Sequence, residues 1–482
     1  MSKSMNLTIL QINDTHSYFE LHNELFWVGD RAVYKKSGGY ARIATIFREI
    51  KNEKNGKVIV LDNGDTLHGT FLAVNSKGEA LVPILNELAL DAMTAHWEFA
   101  YGPDKLRGIV DKLNFPMLAI NCYYKKSNKL VFPAFHIIEI DDLRVGIIGI
   151  AATIVDKTMP KNFSKGIYFT LGNKELPKYI RQLRESEKVD LIIVLSHLGY
   201  PQEFKLAKEV DGVDVLLSGH THNRLYEAVV VNGSILMQSG CHGSFVGRLD
   251  LEVKNGRIHK FQHKLIKVEE SIKPDPTVDS IVNKALDNHR NMLNVVIGKT
   301  KTALNRNQVM ESTMDNFLLQ GLIEVSGETI AFSNGWRYGA PVVAGPIVLN
   351  DLWNIIPTNP KVSICKITGV DLWDMMEENL ERTFSCDPYK QMGGYVKRCL
   401  GLNIYFKLEN PEGKRIQEFF VNGKRVNGSK TYSVCFVTTQ GVPEKYGKDR
   451  ESLEINAISA LEEYLEKNKS VSAELKRTIV PI

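Results

Sequence analysis

Four short apolar runs mark the first half of the chain, and each ends abruptly in carboxylates, amides or imidazoles. Residues 7–12, 58–61, 191–195 and 213–217 are continuous and rich in Ile, Leu and Val, the pattern of strands covered on both faces. Residues 117–121, 136–140 and 144–150 read as further strands. Stretches 41–52, 79–90, 103–113 and 175–187 lie between such runs and carry helical spacing. Strand and helix alternating in this way predict stacked α/β layers, with loops at strand ends available for chemistry. The stretch 239–268 reads as a hairpin, because alternating residues flank Asn255-Gly256, a dipeptide favoured in tight hairpin turns.

Two prolines in residues 271–280 break the pattern and suggest a linker. A helix follows, with Val278, Ile281, Ala285, Met292 and Val296 as its expected apolar stripe. Three parts result: 1–268, a linker and helix over 269–297, and a second domain over 298–482. The second domain is expected to be α+β, with helices at 311–325 and 369–384 and strands at 362–367, 402–407 and 431–437. We find no internal repeat and no low-complexity segment.

The chemistry sits where the apolar runs stop. Asp14-Thr15-His16, Gly64-Asp65, Ser196-His197 and Gly219-His220-Thr221-His222 follow the four runs in order. Each pattern alone is short enough to match by accident. On repeated strand–loop junctions they point together to a metal centre. Asp and neutral His suit Mn, Fe, Zn or Co. A carboxylate can bridge two ions, and a bridging water then becomes a hydroxide nucleophile near neutral pH. With His96, five of the twelve histidines would serve this one site.

The ordered motifs resemble those of the calcineurin-like metallophosphoesterases, specifically the 5'-nucleotidase branch with its appended C-terminal domain. LTILQINDTHSYFE resembles that family's opening strand and metal loop, VIVLDNGDTLHG its bridging-aspartate loop, IVLSHLG its histidine loop, and LLSGHTH its last metal loop. The resemblance implies a four-layer αββα sandwich followed by a smaller α+β C-terminal domain. It implies that Asp14, His16, Asp65 and His222 hold one divalent ion. Asp65, His197, His220 and a residue near position 96 would hold the second, with Asp65 bridging.

Two places depart from that family. Where it carries Gly-Asn-His-Glu-Phe-Asp, this chain reads Ala95-His96-Trp97-Glu98-Phe99-Ala100. His96 takes the place of the metal-binding Asn, and Trp97 that of the histidine acid. An indole donates one hydrogen bond but shuttles no proton near neutral pH. His96 is therefore expected as a ligand or as a replacement acid. The base-stacking phenylalanines of nucleotidases are also missing, since Pro357-Thr358-Asn359 and TTQGVPEKYG (438–447) occupy their places. His-Trp-Glu-Phe, SGCHGSFVGRLDLEV (239–253), FSNGWRYG (332–339) and DPYKQMGGYVKR (387–398) resemble the SoxB thiosulfohydrolases, a sister group. Arg337 matches an arginine that both groups carry, and its forked guanidinium suits phosphate or sulfonate oxygens. Trp336 and His242 join it as expected substrate contacts.

At 482 residues, with 43% hydrophobic and 24% charged residues, the chain has the size and composition of a two-domain globular protein. Its net charge of +4 is small, and its basic residues are dispersed, which gives no nucleic-acid signal. No apolar stretch is long enough to span a bilayer. The six cysteines form no Cys-x-x-Cys and no dense framework, and MSKSMNLTIL lacks an apolar leader core. A cytoplasmic location is the expectation. Three functions remain in view: a binuclear metal-dependent phosphoester hydrolase, a SoxB-like hydrolase of a sulfur-oxoanion adduct, and a non-catalytic metal-binding scaffold. A small-molecule substrate is expected for the first two.

Overall fold

Every residue of the strand Leu191–Ser196 is buried, but its two faces serve different cores. Leu191, Ile193 and Leu195 join a cluster with Leu7, Ile9, Ile59 and Leu61 from a second sheet. Ile192 and Val194 face the other way and pack with Leu176, Ile180, Leu183 and Leu206 from helices. The two-residue period of a strand thus places a sheet on one side and a helical layer on the other.

The computed structural model describes residues 4–482. One compact unit holds the residues before Asn23 together with Lys36–Asn288, and the other holds Asn23–Lys35 and His289–Ile482. In the first unit one sheet has the order Arg257–Lys267, Phe245–Lys254, Ser4–Ile12, Val58–Asp62, Ala92–Met93. The other has the order Val229–Val231, Ser234–Met237, Val215–Leu217, Leu191–Ser196, Leu143–Ile150, Phe135–Ile140. Ser4–Ile12 runs parallel to Val58–Asp62, and Leu191–Ser196 runs parallel to both of its neighbours. Parallel neighbours end on the same edge of their sheet, so loops far apart in sequence are delivered to one place. Helix Tyr40–Glu53 buries Ile43, Phe47 and Ile50, spaced by four and three residues. Asn255 and Gly256 turn the expected hairpin, both with positive φ.

Several expected elements differ. Residues 117–121 form no strand, although Leu118, Ala119 and Ile120 are fully buried. Their amides donate to Met93, Pro133 and Gly149, three separate segments, so no continuous ladder forms. The expected helix at 79–90 splits into a 3-10 turn, Glu79–Leu81, and the helix Val82–Leu88, with Pro83 in its first turn. The helix at 175–187 widens after Arg181 into a π-turn, Gln182–Ser186. Helix Pro276–Leu293 buries Val278, Val282, Leu286 and Leu293. Met292 is exposed and Val296 belongs to the next strand, Val296–Thr300, so the expected stripe had the wrong register. The paired strands His22–Val28 and Arg31–Ser37 were not anticipated.

The second unit is α+β. Its five-stranded sheet has the order Arg398–Leu400, Ala331–Ser333, Thr431–Val437, Lys361–Thr368, Lys448–Asn456. Helix Gly369–Phe384 buries Leu372, Met375, Met376 and Leu380 in a core shared with Phe332, Ile367 and Phe436. Among the described residues, no helix is long and apolar enough to cross a membrane.

Candidate metal centre

Five residues at the ends of these strands hold left-handed backbone conformations: Asp14 (φ 51°), His16 (47°), Asp65 (59°), His220 (68°) and His222 (58°). Residues with side chains rarely adopt that region, and each such case costs on the order of 1–3 kcal/mol. Their convergence on one edge marks a place where geometry outranks backbone comfort. The loops also approach closely. A Cβ at Gly69 would meet the His16 carbonyl at 2.4 Å, and one at Gly219 would meet His197 Nδ1 at 2.9 Å.

The side chains converge in two groups. Asp65, His96, His197 and His220 form one, and Asp14, His16, Asp65 and His222 form the other. Within each group one potential ligand atom per residue lies within 4.8 Å of the rest, and Asp65 belongs to both. His96 Nδ1 is 3.0 Å from Asp65 Oδ1, and His197 Nε2 is 3.2 Å from Asp65 Oδ2. His222 Nε2 is 3.3 Å from Asp14 Oδ1.

Tautomers decide what these distances mean. His197 Nδ1 lies 2.6 Å from the Asn63 carbonyl, and His16 Nδ1 lies 3.2 Å from the His68 carbonyl. A carbonyl only accepts, so each Nδ1 must donate, and each neutral ring turns an Nε2 lone pair inward. The His197 lone pair meets a carboxylate oxygen, and His16 Nε2 stands 3.2 Å from His222 Nε2. His96 Nε2 is buried with no hydrogen-bond partner. An inward lone pair facing a carboxylate oxygen is repulsive until a proton or a cation stands between them, and several such nitrogens gathered around two carboxylates fit divalent metal ions.

The charge balance agrees. Burial pulls the His197 imidazole down, but Asp65 and Asp14 outweigh it and raise it to about 10. Without a metal ion His197 therefore holds a proton at Nε2 against Asp65, and a divalent ion would take that proton's place on the neutral ring. Burial likewise opposes ionisation of Asp65, yet His96 and His197 hold its carboxyl well below the usual range.

Supporting residues complete the site, among them Glu98, which the sequence did not single out. Glu98 accepts from the backbone amides of Asp65, Thr66, Leu67 and His96, which fixes the bridging loop against the His96 loop. The Trp97 amide donates to Asp65 Oδ1 at 2.8 Å, and its indole stacks on His68, ring centres 4.5 Å apart. His242 (φ 58°) donates its backbone amide to the Asp14 carbonyl and packs against Tyr18. Its ring centre lies 6.0 Å from that of His222 and 6.2 Å from that of His16.

Trp336 and Arg337 belong to the second unit. Arg337 donates to the Gly394 carbonyl and stacks on Tyr395. Trp336 is buried beneath the guanidinium of Arg306. The Tyr446 hydroxyl is engaged by Glu378, and Thr358 stands at the first missing stacking position.

The sequence family described as 5'-nucleotidase, C-terminal domain, matches residues 296–440. A trifunctional nucleotide phosphoesterase, YfkN of Bacillus subtilis strain 168, is 25% identical over 89% of this chain. The match spans 31% of that protein's length. A 5'-nucleotidase of Vibrio vulnificus is 24% identical over 88% of this chain and 83% of its own. Two Thermus thermophilus structures share the fold. Sulfate thiohydrolase SoxB superposes with TM-score 0.92 (22% identity, 99% of this chain, 96% of that one). A 5'-nucleotidase precursor superposes with TM-score 0.86 (23% identity, 99% of each chain).

Proposed function

We propose that this chain, a relative of the 5'-nucleotidases carrying their C-terminal domain, is a binuclear metal-dependent hydrolase of small phosphoesters. The observation that carries this reading is Asp65. One buried carboxylate is shared by two groups whose imidazole nitrogens converge on one another and on carboxylate oxygens. That arrangement is what a pair of ions requires and what a purely structural cluster avoids. Two bound divalent ions would acidify a water and draw charge from the phosphoryl oxygens.

The chain's own residues then have distinct tasks. Asp14, His16 and His222 complete one coordination sphere, and His96, His197 and His220 the other, around the bridging Asp65. His96 is committed to Asp65 and is read as a ligand, which leaves proton transfer to the leaving group without help from position 97. His242, close to the first group, is the proposed contact on the substrate side. In the second unit, Arg337 offers a forked donor to phosphoryl oxygens, and Trp336 backs that loop. Residues 1–268 are read as the catalytic domain and 298–482 as the substrate domain.

Trp97 and the missing base clamp favour one second reading, a SoxB-like hydrolase of a sulfur-oxoanion adduct. A thiolate departs without a strong acid, so an indole at position 97 costs such a reaction little.

One assay separates these readings. Protein reconstituted with Mn, Zn or Co is offered p-nitrophenyl phosphate, bis-p-nitrophenyl phosphate, AMP, UDP-glucose and an S-thiosulfonate cysteine adduct, with Asp65→Asn as the control. Phosphate release that the control lacks is the expected result. Sulfate release from the adduct without phosphate release would transfer the protein to the sulfur reading. Metal binding with no turnover of any substrate would leave a scaffold.

A further inference from the structure

The ligand loops are stitched together by buried carboxamides, and these divide between the two groups. Asn13 is 2% exposed. Its Nδ2 donates to Asp14 Oδ2 and to the Gly240 carbonyl, both at 2.7 Å, and its Oδ1 accepts from the Ser239 amide at 2.9 Å. It therefore holds a ligand carboxylate of the first group directly, with Asp14 Oδ1 facing His222; the same carboxylate accepts from the His220 amide at 2.9 and 3.1 Å. Asn63 is fully buried and touches no ligand side chain of that group. Its Nδ2 donates to the carbonyls of Ser196 and Leu217, both at 2.8 Å. Those carbonyls lie immediately before His197 and just before Gly219-His220. Its Oδ1 accepts from Gln11 Nε2 at 2.7 Å, and Gln11 in turn donates to the Ser218 carbonyl and accepts from Ser239 Oγ. The backbone carbonyl of Asn63 also sets the His197 tautomer.

We propose that Asn13 and Asn63 are paired positioning residues, each acting first on one metal group although Ser239 and the His220 amide link them, so that the two ions can be lost one at a time. This rests on the two-ion reading above. The physical reason is direct. Each amide spends its donors and acceptor on backbone or carboxylate atoms, and a buried polar group deprived of such partners shifts until it finds others. Outer partners of this kind change metal affinity by about 10–100-fold when removed. Asn13 orders Asp14, so its loss is felt by the group of Asp14, His16 and His222. Asn63 orders the strand ends that present His197 and His220, so its loss is felt by the other group.

The test is a Co(II) titration of the full chain, read by calorimetry for stoichiometry and affinity. Proton NMR follows the paramagnetically shifted Nδ1–H signals of His16 and His197. Wild type is expected to bind two ions and shift both signals. Asn63→Leu, close in shape but without the amide, should weaken one ion about 10–100-fold, with the His197 signal failing first and His16 unaffected. Asn13→Leu should do the converse. If Asn63→Leu does not fold, Gln11→Met removes one partner of the amide and should show the same selectivity. Asn63→Ser is expected to restore part of the affinity. Two ions weakened together by either variant, or by neither, would overturn the pairing while leaving the two-ion reading intact. A wild-type stoichiometry of one would overturn both.

Discussion

Each unit buries a cluster of charged groups, and the two clusters are built on opposite principles. In the first unit Asp14 and Asp65 lie among His16, His96, His197, His220 and His222, with ring nitrogens facing one another or carboxylates. In the second unit the Asp315 carboxylate receives Arg306 Nε at 2.9 Å, Arg398 Nε at 3.0 Å and the Ser312 hydroxyl at 2.6 Å. The guanidiniums donate onward to the carbonyls of Tyr338, Val309 and Gln308. Arg306 Nη2 and Arg398 Nε make no hydrogen bond of good geometry, the latter meeting Asp315 only as an ion pair, and the Arg306 guanidinium lies over the Trp336 ring. The second cluster gives its one anion two guanidinium partners, and the surplus positive charge is spread over backbone carbonyls and an aromatic ring. The first groups its acceptors where cations would complete them. Burial of charge is therefore weak evidence of function by itself; the informative feature is whether donors and acceptors match.

The comparison predicts opposite consequences for the same substitution. Asp65→Asn should lower turnover by roughly 10³-fold or more, the loss of several kcal/mol of charge stabilisation, and should reduce the ions bound. Metal-free protein should remain folded, because the change removes a buried charge that only the neighbouring imidazoles offset. Asp315→Asn should do the reverse. It leaves two buried guanidiniums without their anion and should destabilise the second unit by about 3–5 kcal/mol, measured by urea denaturation. A stable Asp315→Asn would erase the distinction drawn between the clusters.

Metal removal sharpens the same contrast by a smaller step. Ions that bind only the folded first unit stabilise it by about 2.7 kcal/mol when present at 100 times their dissociation constant. Chelation should lower the unfolding midpoint reported by first-unit probes, and a probe in helix Gly369–Phe384 should not follow. Equal shifts for both probes would show that the two units do not unfold separately.

The strand ends were readable because a buried strand followed by Asp or His is a local signal. Residues 7–12, 58–61 and 191–195 all became strands, and the loops after them carry the groups that converge. Position 96 was open between acid and ligand, since only the fold reveals that its ring meets Asp65. Glu98, Asn13 and Asn63 were overlooked because their partners are backbone atoms from distant segments, which leave no spacing to read. The buried run at 117–121 failed as a strand for the same reason, its amides going to three separate segments. Local apolar pattern predicts burial well and hydrogen-bond partners poorly.

The narrowest contrast concerns a buried cation in the second unit that has no anion of its own. Lys397 is buried, its ammonium donates to the Gln440 carbonyl, and its backbone amide donates to Asn379 Oδ1 at 2.8 Å. Burial first, and the nearby Arg382 charge second, push its pKa down to about 7. A pKa lowered by folding means that the folded state prefers the neutral amine. The associated stability is therefore complete above the unfolded value near 10.4 and is lost progressively as pH falls from there to about 7. Between the two values the unfolded chain binds a proton that the folded one refuses, at a cost of up to about 1.4 kcal/mol for each pH unit. The unfolded lysine is already charged throughout that range, so the loss begins as soon as the pH drops beneath 10 and levels off once Lys397 is protonated in both states, below pH 6. Unfolding midpoints of wild type and Lys397→Met measured from pH 10 to pH 6 should diverge, with wild type falling more steeply. Parallel curves would mean that Lys397 is solvated or paired in solution.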